Sequence, residues 1–177
     1  MNKQYLIKVY PIGLGREVYR NIEISGEDTL DRLCQIILES FDFTDEHLYE
    51  FCMDNRMYQE YNYQSDPEED EPSTKIILDE LRLVEKQKFS LHYDFGDDWR
   101  HRINIEKRDP DYNERTAKLL KYKGDNFMED SGGIYCGENY RFPFDKTLVE
   151  KQLENMSFPE HEQEVIMLQN DPMEEQS

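Results

Sequence analysis

The sequence is short of positive charge. Its 177 residues carry 21 Lys and Arg against 40 Asp and Glu, a formal net charge of −19. Phosphates are repelled by a chain of that sign, so direct binding to a nucleic-acid backbone is not expected. The balance suits high solubility and a protein partner, most simply a basic one. It also suits a divalent cation, or mimicry of DNA by an array of carboxylates. Cysteine is scarce as well. Cys34, Cys52 and Cys136 are the three, an odd number with no CxxC pair. That excludes a disulfide framework and a recognisable zinc knuckle, and it reads as reduced thiols in a cytoplasmic protein. No apolar run reaches membrane-spanning length. Met1-Asn2-Lys3 leads straight into an alternating segment with no signal-like apolar stretch. A soluble cytoplasmic chain without membrane attachment is the expectation. Signatures of nucleophilic catalysis are missing too: there is no GxSxG and no paired Cys–His motif.

Aromatic residues are plentiful, with 12 Tyr, 9 Phe and a single Trp, enough to build a packed core. Residues 4–12 alternate like a strand, Gly13-Leu14-Gly15 makes a turn, and Val18 to Ile24 alternates again, which predicts a hairpin. This GxG is a turn signal and not a phosphate loop, because no helix opens after it. Leu30, Leu33, Ile37 and Phe41 recur at helical spacing with Cys34 on the same stripe, predicting a helix over about 29–41 with Asp28 or Thr29 as its cap. Cys34 reads as a small core residue. Leu48 to Cys52 is a further strand, and Asn55-Arg56 a turn. Gln64 to Ser73, with Asp66, Glu68, Glu69, Asp70 and Glu71, is a solvated acidic loop, flexible over 66–72. Ile76 to Leu81 is a short helix or turn, and residues 114–123 are a mixed basic segment. Two helical segments close the chain. One spans about Asp145 to Met156, with Leu148, Val149, Leu153 and Met156 on its apolar side. The other follows Pro159. Residues 169–177 are an acidic tail expected to be disordered, so residues 1–168 form a single domain.

The densest stretch is Tyr93-Asp94-Phe95-Gly96-Asp97-Asp98-Trp99-Arg100-His101. Alternating strands, Phe89 to Asp94 and Trp99 to Glu106, flank it and make it a hairpin tip. Phe95 to Asp98 form a four-residue loop with Gly96 available for positive φ. Its structural reading has Asp97 or Asp98 accepting backbone N–H groups across the loop, Asp94 pairing with Arg100 or Arg102, and Trp99 anchoring the hairpin in the core. The alternation sets His101 beside Trp99 on the core side and turns His92 toward solvent. Asp94-Phe95-Gly96 repeats the kinase metal-binding tripeptide, but no glycine-rich loop, lysine strand or His-Arg-Asp loop accompanies it.

Val18 to Ile24, Thr29 to Leu33, Asp45 to Phe51, Tyr93 to His101 and Glu129-Asp130-Ser131-Gly132-Gly133, in this order and spacing, resemble the plasmid pRiA4b ORF-3-like family, which includes passenger proteins of some transposons. The resemblance covers roughly residues 3–168. It implies an α+β fold in bacterial or archaeal, often mobile-element settings, and implies no activity. Ile134-Tyr135-Cys136-Gly137 departs from the family's habit of a proline or tyrosine soon after the paired glycines.

The expected architecture is α+β: an antiparallel or mixed sheet of about five to seven strands, the 29–41 helix on one face, and C-terminal helices. Candidate site residues are Asp94, Asp97, Asp98, Trp99, His101, Glu129 and Asp130, on a face formed by the hairpin tip and the Glu129–Gly133 loop. The leading expectation is a non-enzymatic interaction or regulatory module that binds a protein there. The alternatives are a DNA-mimicking inhibitor of a nucleic-acid-binding protein and a metal-dependent enzyme using the same turn. No cofactor motif is present. The carboxylates are hard oxygen donors for a divalent cation, and His47, His92 and His101 could add nitrogen. His47, after Asp45, reads as a cap or bridge. Cys136, in a loop, is a candidate reactive thiol.

Overall fold

The computed structural model describes residues 3–53, 62–110, 117–134 and 140–156. Seven strands form one antiparallel sheet: β1 (Gln4–Pro11), β2 (Tyr19–Ser25), β3 (Tyr49–Cys52), β4 (Asn62–Gln64), β5 (Lys88–Tyr93), β6 (Trp99–Asp109) and β7 (Lys118–Lys123). Their spatial order is β4-β3-β5-β6-β1-β2-β7. A separate two-stranded ribbon joins β8 (Asn126–Phe127) to β9 (Arg141–Phe142). The helices are α1 (Leu30–Ser40) and α2 (Lys146–Asn155), with a 3-10 turn over Leu78–Leu81. The α+β expectation holds, and the sheet is wholly antiparallel with two helices among the described residues.

Side-chain alternation decides which face of the sheet is buried. Tyr5, Ile7 and Val9 of β1 are buried, as are Ile22 and Ile24 of β2 and Phe89, Leu91 and Tyr93 of β5. Cross-strand register stacks like on like: Ile7 opposes Ile22 and Ile105, and Ile103 opposes both Val9 and Phe89. Leu33, Cys34 and Ile37 of α1 belong to the same buried core. Thr29 caps α1, its hydroxyl accepting from the Arg32 amide at 3.1 Å. Asp145 caps α2 in the same way, through the Leu148 amide. Val149 and Leu153 are the buried side of α2, while Leu148, expected on that side, is exposed.

Arg20 is fully buried beside this core. Its guanidinium donates to the carbonyls of Ser40, Tyr19, Lys123 and Asp125 and to Asn126 Oδ1, at 2.8–3.3 Å. It lies between the rings of Phe41 and Phe144, 4.5 and 4.1 Å from their centroids. One side chain thus ties the end of α1 to β2, β7 and β8. Burial lowers its pKa to about 10, so it stays charged at neutral pH.

The expectation of a solvent-facing His92 needs correcting, and other segments gain a defined place. The basic segment at 118–123 is the edge strand β7. His92 is largely covered, because Phe95 packs on its ring at 4.9 Å and Asp98 reaches its Nε2. The acidic loop is held at its base, where the Gln64 amide donates to the Pro72 carbonyl and the Thr74 amide to the Gln64 carbonyl. The Asn55–Arg56 turn, Cys136, the helix after Pro159 and the 169–177 tail lie outside the described residues.

Candidate functional site

The β5–β6 connection runs from Asp94 to Asp98 and is one residue longer than the alternation suggests. The Asp98 amide closes it onto the Asp94 carbonyl at 2.7 Å. Asp94 and Asp98 take the left-handed conformation (φ 59° and 61°), while Gly96 does not. Short polar aspartates tolerate that region because their carboxylates bond locally to the backbone. Asp94 Oδ1 accepts the amides of Gly96 at 3.2 Å and Asp97 at 3.4 Å. Asp94, and not Asp97 or Asp98, therefore organises the turn.

The second loop meets this turn directly. Gly132 donates its amide to Asp97 Oδ2 at 3.0 Å. Gly133 has φ 96°, and a Cβ there would fall 2.4 Å from the Asp97 carbonyl oxygen. Only glycine permits so close a backbone approach. Asp130 also has positive φ, which turns the loop back toward the hairpin.

A third segment, between α1 and β3, completes the junction. His47 Nε2 lies 2.8 Å from Asp130 Oδ1, 3.5 Å from Asp94 Oδ2 and 3.7 Å from Glu129 Oε2. Glu129 is fixed from several sides. Its Oε1 accepts the Thr44 amide at 2.6 Å, and its Oε2 accepts the Tyr93 hydroxyl at 2.8 Å and the Thr44 hydroxyl at 3.0 Å. The Tyr93 hydroxyl also accepts the Glu46 amide at 3.1 Å. Burial and the Glu129 contact push the Tyr93 phenol well above its ordinary value, so it is a permanent donor.

Three carboxylates thus surround one imidazole nitrogen. Like charges about 4 Å apart near a protein surface repel by ~4 kcal/mol, so such a cluster favours a cation at its centre. Desolvation works against the imidazolium. The Asp130 hydrogen bond and the charges of Asp94, Asp130 and Glu129 outweigh it and raise the His47 pKa. Two overlapping donor sets result, His47–Glu129–Asp130 and Asp94–Asp97–Asp130, each with its ligand atoms within 4.8 Å of one another.

Of the seven candidate residues, Asp94, Asp97, Glu129 and Asp130 come together here. Asp98 points elsewhere, with its Oδ1 2.9 Å from Arg100 Nε and 2.6 Å from His92 Nε2. Trp99 and His101 are core residues. Trp99 packs on Phe43 and Phe127, and His101 lies 4.7 Å from the Phe41 ring. Burial, and then the Arg20 charge, lower the His101 pKa from 6.5 to about 3, so it is a neutral ring at working pH. Sequence reasoning gave His47 too small a role and missed Thr44 and Tyr93. The Tyr49–Tyr93 pairing of β3 with β5 carries the 44–47 segment to the hairpin tip, and no local sequence signal announces that pairing.

The comparisons agree with this architecture. The family model for plasmid pRiA4b ORF-3-like proteins matches residues 3–170. The chain belongs to that family. It is 31% identical over 121 residues to uncharacterized protein y4hQ of Sinorhizobium fredii, a match covering 66% of this chain and 60% of that protein. The chain therefore matches about three-fifths of that relative's length. A crystal structure of a protein of unknown function, MM3350 from Methanosarcina mazei Go1, has the same fold, with a TM-score of 0.66 and 23% identity over 95% of this chain and 89% of that one. Among the described residues no helix is long and apolar enough to cross a membrane.

Proposed function

We propose that this chain binds a divalent cation where the β5–β6 turn, the Glu129–Gly133 loop and the Thr44–His47 segment converge. The observation that carries the reading is the convergence itself: five donor residues from three separate stretches of chain, sharing Asp130 between two donor sets. The donors are carboxylate-rich with one imidazole, which suits Mn²⁺ or Zn²⁺ better than the all-oxygen preference of Ca²⁺ and Mg²⁺. The surrounding bonds support it. Thr44 and Tyr93 hold Glu129, and the turn amides hold Asp94, so the carboxylates are positioned before an ion arrives. A bound ion would lock the two loops together and polarise a water molecule or a partner's carboxylate. Thermal melts with each ion test this. Mn²⁺ or Zn²⁺ is expected to raise the wild-type melting temperature and to leave an Asp94→Asn/Asp130→Asn variant unchanged. Equal shifts in both proteins would place the ion elsewhere.

A second reading has its own support. Leu48, Phe95 and Met128 are each about half exposed, and each is the chain neighbour of a cluster residue, His47, Asp94 or Glu129. Exposed apolar side chains beside a partly buried acidic centre suit a protein-docking patch, and a Lys or Arg of the partner would take the place of the ion. Phe95→Ser and Met128→Ser variants that keep ion binding but lose a partner retained by wild type would favour this interaction module.

A further inference from the structure

The face of the sheet turned away from the core carries the opposite charge to the protein as a whole. Alternation and register put Lys8 of β1, Lys88 of β5, Arg100 and Arg102 of β6, and Lys121 and Lys123 of β7 on it. The acids these strands place there are Glu23, Glu50, Glu106 and Asp109, and Asp98 of the hairpin turn pairs with Arg100 at the edge of the face. Glu23 opposes Lys118 across the β2–β7 pair, and Glu50 lies 3.6 Å from His92. At the β1–β2 end of this face is an open cavity of about 440 Å³ walled by Lys8, Tyr10, Arg16 and Asn104, by the Gly13–Gly15 backbone, and by Glu17. Lys8 sits over the rings of Tyr10 and Tyr19, 5.4 and 4.8 Å from their centroids. Among the described residues neither Lys8 nor Arg16 has a carboxylate partner.

We propose that this outer face docks single-stranded nucleic acid, with a backbone phosphate held between Lys8 and Arg16 and a base against the Tyr10–Tyr19 rings. The inference is independent of the cation site, which the hairpin tip carries. Net charge argues against it only at long range. Opposing charges more than a Debye length away, about 8 Å in physiological salt, are largely screened, so the local cations decide contact. A twisted sheet with partly buried rings and a row of cations fits a flexible strand, whose bases are free to stack, better than a duplex, whose bases are already stacked.

Fluorescence polarisation on the full chain tests it, using labelled deoxythymidine strands of about fifteen nucleotides in ~50 mM salt. The expected result is saturable binding that weakens as salt rises, is retained by Lys8→Arg, and falls by about tenfold or more in Lys8→Glu/Arg16→Glu. A Lys8→Gln/Arg16→Gln variant with wild-type melting temperature gives the same comparison without charge reversal. The proposal is overturned by absence of binding, or by equal affinity in the neutral variant. Equally tight binding of a duplex, or full competition by poly-glutamate of matched charge, also overturns it.

Discussion

Burial of an uncharged His101 makes the fold acid-sensitive in a way that can be measured at one residue. The ring is fully buried, neither nitrogen has a hydrogen-bond partner, and Phe41, Phe43 and the Arg20 charge surround it. Its folded pKa is about 3 against an ordinary 6.5. The folded state therefore takes up this proton only far into acid, whereas the unfolded chain takes it up near 6.5. Above that value the group has no effect on stability. Below it, the unfolded state binds more protons, and each further pH unit costs about 1.4 kcal/mol until the folded pKa is reached. At a pH near 5 the loss is ~2 kcal/mol. Other groups titrate over the same range, and acid also relieves the repulsion of a −19 chain. The comparison must therefore be with His101→Phe, which keeps a ring in contact with Phe41 and Phe43 and removes the titration. Urea unfolding of both proteins at pH values near 7.5 and 5 yields the difference in stability at each. That difference is expected to shift by ~2 kcal/mol in favour of the variant on acidification, with any fixed repacking cost cancelling. A shift below about 0.5 kcal/mol would mean that His101 titrates alike in both states, and the reading of a neutral buried ring fails.

Other outcomes follow from particular contacts. Gly133→Ala brings a methyl against the Asp97 carbonyl at a φ that alanine rarely adopts, so it should separate the two loops, cost about 1–2 kcal/mol in urea unfolding and weaken cation binding. Arg20→Met strips partners from four carbonyls and Asn126, with an expected loss of ~3 kcal/mol or more. Arg20→Lys should recover little, because one ammonium cannot reach them all. Cys34 is fully buried and its thiol is pushed up by that burial, so a thiol reagent should modify it only as fast as the chain unfolds. Labelling at the rate of a free thiol would contradict the packing.

The sequence revealed some of these features and hid others for physical reasons. Strict alternation over Gln4–Pro11, Phe89–Tyr93 and Trp99–Ile105 announces strands with one buried face, and these form the middle of the sheet. Thr29 and Asp145 announce their helices, because a cap acts through the next three residues of chain. Lys118–Lys123 reads as merely basic. As the edge strand it is exposed on most of its length, and an irregular register opposite Asn21 and Ile22 breaks its alternation. Gly96 was the natural candidate for positive φ, yet the aspartates take it, since the turn needs their carboxylates as acceptors as well as their backbone shape. Four of the five donors were visible in the Asp94–Asp97 and Glu129–Asp130 motifs. His47, Thr44 and Tyr93 joined it only through strand pairing, which depends on contacts far apart in the chain. Total charge was the least informative signal, because it conceals the separation of an acidic hairpin tip from a cationic sheet face.

Isothermal titration of wild type and Asp94→Asn/Asp130→Asn with Mn²⁺, and then with Zn²⁺, addresses the cation site most directly. The expected result is a single site per chain with a dissociation constant in the roughly micromolar to sub-millimolar range, abolished in the variant while its circular dichroism stays that of wild type. No heat of binding up to about 1 mM of either ion, or an isotherm the variant reproduces, would contradict it.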